Sequence, residues 1–395
     1  MARSYEGISV FTNSPVRVTV ENQRITEVKS IDVSSPFEGL PYISPGFLDM
    51  QVNGYRGSDY SLDTFSKDDF VKIVDSLAES GTTQHVATIV TRPQKTILKT
   101  LKTIGELVER YPEFRSALAG IHIEGPYISS EDGPRGAHDK RYVRDPNIEE
   151  FKEWVDASKG MVSIVTLAPE RKGAIPFIER ITAAGVVAAI GHTAASPEEV
   201  REATSAGARL STHLGNGSHA MIPRLKNYIW EQLADDRLTA GIIVDGFHLP
   251  PSVVKVFARV KGLDRLILVS DIALLGGLKP GIYKWDALDV EVFPDGHLGQ
   301  PGTTYLAGAG HLLNWDIAHF IKFTGCKLGD AIRLCTVNPA SFLKLESIFG
   351  PGVGSLYGSL KEGAPANLVL FEYREGDDRL KVLKTVRNGQ EVFNS

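Results

Sequence analysis

Between Tyr42 and Val269 short apolar runs alternate with longer amphipathic segments, and that rhythm admits few folds. The runs are Tyr42–Met50, Thr83–Val90, Ala117–Ile123, Val162–Leu167, Val186–Ile190, Arg209–Thr212, Thr239–Val244 and Arg265–Val269. Runs this short between longer amphipathic segments read as the strands of βα units around a parallel sheet, with helices crossing between them. Helix signals fall where the alternation needs them. Lys67–Ser80 stops at Gly81, Glu149–Ala157 follows Pro146, and Pro197–Ala206 opens after Ser196 and stops at Gly207. Eight such units in under about 250 residues predict an α/β protein built on a (β/α)8 TIM barrel. A doubly wound open sheet has the same local pattern, so periodicity alone leaves it as the alternative.

The two ends of the chain have a different texture. Residues 8–33 alternate as half-buried strands do, with Val16, Val18 and Val20 on one side, Arg17 and Thr19 on the other, and Glu21-Asn22-Gln23 as a turn. The same character returns only in Asn367–Phe371 and Lys381–Val386, separated by a charged turn from Arg374 to Arg379. One small β domain drawn from both termini is expected. Gly281 to Thr304 is a β excursion after the eighth strand, with a strand at Asp289–Phe293 and a hairpin turn at Pro294-Asp295-Gly296. Helices resume at His311–Thr324 and Leu328–Thr336, where Asn338-Pro339 stops the second.

Composition removes whole classes of function. The 395 residues are 42% apolar and 23% charged, with a net charge of −5 from 43 basic and 48 acidic side chains, so the chain has a core to bury and is not disordered. No run of Lys or Arg offers a wide cationic face to a nucleic acid or an anionic membrane, and neither is expected as a partner. Cys326 and Cys335 are too few for a disulfide framework and lack zinc-knuckle spacing, which suits a reducing compartment. The first residues lead into strand-like sequence rather than an apolar signal region, and no stretch approaches the roughly 18 apolar residues of a membrane span. A cytoplasmic protein is expected.

Chemistry gathers at one end of the predicted strands. Asp49, Gln51 and Asn53 follow the first, His122 and Glu124 the third, His192 the fifth, His213 the sixth, Asp245 and His248 the seventh, and Asp271 the eighth. In a barrel these ends meet at one mouth. Singly, each histidine reads as a structural hydrogen-bonding group and each aspartate as a helix cap; their recurrence at the same end of successive strands argues against that reading. Glu124, His192 and His213 supply one carboxylate and two imidazoles, a set that suits zinc or a similar divalent ion with one position left open. Such an ion lowers the pKa of water toward about 7, and Asp271 is the carboxylate placed to take the proton. Gly215-Asn216-Gly217 and Leu306-Ala307-Gly308-Ala309-Gly310 offer backbone N–H groups to an anion, with Arg224 on the same long loop as the first. Ordinary barrel turns are the alternative for both.

At these residues the sequence resembles the N-acetylglucosamine-6-phosphate deacetylase family of the metal-dependent amidohydrolase superfamily. The resemblance is carried by Pro45-Gly46-Phe47-Leu48-Asp49-Met50-Gln51-Val52-Asn53-Gly54, His122-Ile123-Glu124-Gly125-Pro126-Tyr127 and Gly136-Ala137-His138-Asp139. It continues in Gly191-His192-Thr193, Thr212-His213-Leu214, Asp245-Gly246-Phe247-His248, Val269-Ser270-Asp271 and Leu306-Ala307-Gly308. The resemblance implies a split β-sandwich, residues 1–44 and 355–395, beside a barrel of residues 45–354. It implies metal ligation by Glu124, His192 and His213 and catalysis by Asp271. Substrate contacts would come from Ala137, His138, Asn216, Gly217, His248, Leu306, Ala307 and Gly308, with His248 acting on the acetamide.

Arg224 would reach the phosphate bound by a neighbouring subunit, which makes the family a homodimer. Where many superfamily members carry His-x-His, this chain has Gln51-Val52-Asn53, so a single ion is expected, with Zn2+ first and Fe2+, Mn2+ or Co2+ compatible with the same ligands. The run Leu214–Met221 and the bulky Ile272–Leu275 depart from the family pattern at the pocket. His219 reads as a solvent-facing loop histidine or a substrate contact. The expected activity is removal of acetate from N-acetylglucosamine 6-phosphate. Another N-acetylated sugar phosphate or small amide, or a non-catalytic barrel scaffold, are the alternatives.

Overall fold

The computed structural model of the chain describes residues 2–32, 39–285, 288–303, 305–345 and 356–395. Eight parallel strands follow one another in chain order: Phe47–Val52, Thr82–Val90, Leu118–Glu124, Val162–Leu167, Val187–Ile190, Leu210–Ser211, Thr239–Ile242 and Leu266–Leu268. This sequential order is that of a barrel; an open doubly wound sheet reverses direction partway across. Leu48, Met50, Ile164, Val187, Ala189, Leu210, Ile267 and Val269 fill the interior, and their neighbours Val165, Ala188 and Ile190 face the helices, so each strand is buried on both sides.

Closure between the first and eighth strands is made by other means than a long ladder. Val52 bridges Ile272 in parallel, and at the opposite end Cys335 and Leu334 fill the seam, their carbonyls accepting the N–H of Leu48 (2.8 Å) and Leu268 (3.0 Å). Asp49, fully buried, joins the two strands from the inside. Its Oδ1 accepts the N–H groups of Gln51 and Ser270, each at 3.2 Å, and its Oδ2 accepts the Ser270 hydroxyl. Burial pushes its carboxyl up to about 7, against the pull of the Ser270 hydrogen bonds. Asp49→Ala leaves three donors buried without an acceptor, and at roughly 1–3 kcal/mol each a loss of at least ~3 kcal/mol is expected. Thermal or denaturant unfolding checks this; an unchanged midpoint would remove Asp49 from the closure.

The helix signals act as read. Ser66 and Ser196 each form a capping box, with Asp69 and Glu199, and Gly81 (φ 88°) and Gly207 (φ 116°) take the left-handed turn after the helices Lys67–Glu79 and Pro197–Ser205. Two expectations are corrected. The run Tyr42–Met50 is two strands divided at Gly46: Tyr42–Pro45 belongs to the terminal sheet and Phe47–Val52 to the barrel. Only glycine fits there, since a Cβ would lie 2.2 Å from Thr83 Oγ1. Asn338-Pro339 does not end a helix at Thr336. Helix Leu328–Arg333 stops earlier, and both residues sit in the first turn of a further helix, Val337–Phe342, where proline's missing N–H has no intrahelical partner to lose.

The termini form one seven-stranded sheet, in the order Gln390–Asn394, Lys381–Arg387, Leu368–Glu372, Tyr42–Pro45, Arg3–Ser9, Pro15–Glu21 and Arg24–Ser30. It curls so that Val18, Val20 and Ile25 share a core with Leu368 and Val386 from the far half. Val16, Val18 and Val20 are buried and Arg17 is exposed, as the alternation requires. The excursion after the eighth strand is a three-stranded antiparallel sheet of Gly281–Trp285, Leu288–Val292 and Leu298–Gly299. The expected boundary at 354/355 and the excursion's last residue, 304, lie outside the described residues.

Candidate active site

Glu124 ends the third strand, and His192 and His213 stand just beyond the fifth and sixth, so the barrel turns all three toward its mouth. Each is buried. His192 Nε2 lies 3.2 Å and His213 Nε2 3.0 Å from Glu124 Oε1, and the two ring nitrogens are 3.0 Å apart. His192 Nδ1 donates to the Pro134 carbonyl at 2.8 Å, which commits its proton there and leaves the Nε2 lone pair pointing at the other two donors. Three such atoms facing one another repel unless a cation sits among them. Tetrahedral zinc at about 2.0–2.1 Å from its ligands holds them roughly 3.3 Å apart, close to this triangle, so the residues fit the ion. Among the described residues it is the cluster of this kind that the chain assembles.

The electrostatics follow from the packing. Burial alone would raise the Glu124 carboxyl, yet the two imidazoles beside it, His192 and His213, hold it well below the usual range. Burial pulls His213 down, but the Glu124 hydrogen bond and charge raise it overall. Asp271 is part-buried; burial, and next the Glu124 charge, push its carboxyl up to about 6, against His213, Asn53 and His248.

The amides of the first strand take up the carboxylates. Gln51 Nε2 donates to Glu124 Oε1 at 3.0 Å, and Asn53 Nδ2 donates to Asp271 Oδ1 at 2.7 Å. His192, His213 and Asp271 all have left-handed backbones, with φ of 50°, 28° and 49°. Non-glycine residues rarely adopt that region, at a cost of about 1–3 kcal/mol each, and such strain collects at functional sites.

The remaining sequence-derived residues sort by distance from this centre. His138 stacks edge-on against His192 at 4.3 Å between ring centroids, its Nδ1 held 2.7 Å from Thr91 Oγ1. Gly217, at φ 56°, passes so close to His192 that a Cβ would lie 2.6 Å from Nδ1, and Asn216 Nδ2 donates to the His213 carbonyl at 3.2 Å. His248 Nδ1 pairs with buried Asp245 Oδ2 at 2.7 Å, and that partnership lowers Asp245 to about 2 despite its burial. Leu306, Ala307 and Gly308 are brought to the rim because Ala309 bridges Ile272 and Leu306 bridges Gly299. Ala137 is exposed on the loop after the third strand. Arg224 stands exposed on the outer limb of its loop beside Met221 and Leu225, which are 90% and 78% exposed.

Two histidines have roles the sequence did not reveal. His122 turns into the barrel and pairs with Thr166 Oγ1 at 2.6 Å, where burial lowers it to about 4. His219 links two rim loops: Nε2 lies 3.0 Å from Glu131 Oε2 and Nδ1 3.1 Å from Tyr228 Oη. The carbonyl of Pro134 and the hydroxyl of Thr91 were likewise unannounced, because a second partner of a histidine has no signature in spacing. Asp49 and Ser270 had one, since both stand within motif stretches, Asp49 near the end of the first apolar run and Ser270 next to Asp271.

Barrel and site together define a metallohydrolase of the amidohydrolase type. The sequence model of the Amidohydrolase family matches residues 42–392, and the chain belongs to that family. It is 31% identical over 379 residues to N-acetylglucosamine-6-phosphate deacetylase of Bacillus subtilis, covering 95% of this chain and 90% of that one. It is 33% identical over 366 residues to the enzyme of that name from Rattus norvegicus, covering 89% and 84%. Among solved structures, a mutant of the Mycobacterium smegmatis deacetylase in complex with N-acetyl-D-glucosamine-6-phosphate superimposes with a TM-score of 0.82 at 30% identity, covering 96% of this chain and 94% of that one. The Thermotoga maritima deacetylase does so with a TM-score of 0.82 at 27% identity over 100% of both chains.

Proposed function

We infer that this protein hydrolyses the acetamide of N-acetylglucosamine 6-phosphate, giving glucosamine 6-phosphate and acetate. The observation that carries the inference is the triangle of Glu124, His192 and His213, with Asp271 beside it, in a chain aligned along most of its length with deacetylases. Glu124, His192 and His213 would hold a divalent ion, Zn2+ in this reading, which would supply positive charge for polarising the acyl carbonyl and acidifying water. Asp271, oriented by Asn53, takes a proton from the attacking water as the new C–O bond forms. It then delivers that proton to the amine nitrogen as the C–N bond breaks. His248, fixed by Asp245, polarises the carbonyl oxygen, and the wall of Ala137, His138, Asn216, Gly217 and Leu306–Gly308 orients the sugar. The direct test is acetate release from a panel of N-acetylated sugars with and without a 6-phosphate; no turnover of the phosphorylated N-acetylglucosamine would refute the assignment.

The reading includes a homodimer, supported by exposed Met221, Leu225 and Trp230 around Arg224, an apolar surface of the sort that a second copy covers. Arg224→Ala is then expected to raise KM roughly tenfold or more for phosphorylated substrate, the value of one charged contact, and to leave the unphosphorylated sugar unaffected. Equal effects on both substrates would remove Arg224 from phosphate recognition. A cytoplasmic location is part of the same reading and is supported by the free thiols Cys326 and Cys335. Among the described residues no helix is long and apolar enough to cross a membrane.

A further inference from the structure

The excursion after the eighth strand contributes no group to the chemistry above, yet a column of rings joins it to the site. His297 stacks on Phe293 with centroids 4.0 Å apart and planes 8° apart, and on Phe247 at 4.5 Å and 21°. Phe247 continues to His311 at 5.7 Å and 11°, His311 to Trp315 at 4.0 Å and 10°, and Trp315 to His319 at 4.6 Å and 17°. Three separate segments therefore share one stack: the hairpin turn, the loop after the seventh strand, and the helix Leu313–Thr324 with its approach.

Phe247 immediately precedes His248. One oxygen, Asp245 Oδ1, accepts the backbone N–H of both residues at 2.9 Å, and Trp315 Nε1 donates to the Asp245 carbonyl at 3.0 Å. The loop has no helix or strand of its own, so its direction depends on these bonds and on the plane in which Phe247 is held. His297 is itself oriented, since its Nδ1 lies 2.6 Å from Asp295 Oδ1 within the turn. A side chain needed only to cover Phe247 would not require a flat ring held parallel to it. We propose that His297 is a positioning residue for His248, acting through Phe247, and that the hairpin is present to supply it. The proposal rests on His248 as the group that meets the acyl carbonyl.

His297→Ala is expected to lower kcat about tenfold, a modest misplacement at the reacting centre, with metal content unchanged. His297→Phe, which keeps the ring and loses the bond to Asp295, is expected to recover activity to within about threefold of the parent. In a His248→Gln background, His297→Ala should cost less than about twofold, because the group it positions is gone. Equal losses in both backgrounds, no loss in the parent, or no recovery by phenylalanine would each overturn the proposal. If His248→Gln by itself costs nothing, the reading of His248 fails. The positioning claim is then decided by NMR of the labelled histidines in the holoenzyme. The His248 ring signals should move in His297→Ala and stay in place in His297→Phe, and immobility in both would refute it.

Discussion

Asp271→Ala is expected to lower kcat by about 10²–10⁴-fold while the protein keeps its metal, because it removes the proton carrier and none of the three ligands. The geometry makes the separation clean. Asp271 is fixed by Asn53 Nδ2 at 2.7 Å, whereas Glu124, His192 and His213 meet one another without it. Asp271→Asn should fall nearly as far, since an amide has the shape and lacks the basicity. Steady-state acetate release together with elemental analysis checks both variants. Turnover within tenfold of the parent would remove Asp271 from proton transfer, and loss of metal in parallel would make it a ligand.

The second large effect is on the ion itself. Glu124→Ala removes the only carboxylate of the triangle and leaves two buried imidazoles facing each other 3.0 Å apart. Metal content is expected to fall from about one per chain to below about 0.1, since two neutral imidazoles are a poor site by themselves. Stripping the parent with a chelator should lower its unfolding midpoint, because an ion bound at a thousand times its Kd stabilises the native state by about 4 kcal/mol. Glu124→Ala should show no such shift on chelation. A variant that binds stoichiometric metal, or a parent indifferent to chelator, would show that the triangle holds no ion.

Much of this architecture was legible in the chain. Strands buried on both faces need continuous apolar runs, and residues such as Ile164, Val165 and Leu167 advertise that burial whatever their partners are. Ser66, Gly81, Ser196 and Gly207 mark helix ends because capping depends on the side chain at one position. The division of Tyr42–Met50 at Gly46 was not legible, because two short strands in different sheets have the same local pattern as one long strand. The close approach of Thr83 that requires glycine there comes from a segment nearly forty residues away. Asn338-Pro339 likewise has the local pattern of a helix stop, although proline is equally at home in a first turn.

What the amino-acid sequence determined by itself was the kind of donor available at each strand end: an acid at Glu124 and Asp271, imidazoles at His192 and His213, and amides at Gln51 and Asn53. Tertiary structure alone decided which of these meet. His122 and Glu124 lie two residues apart on one strand, yet one pairs with Thr166 inside the barrel and the other meets His192 and His213. His219, on a loop, ties Glu131 to Tyr228 and touches none of that triangle in the hydrogen bonds it makes. Side-chain chemistry is a property of one residue, whereas a hydrogen bond or a coordination triangle depends on distances that exist only when the barrel has closed.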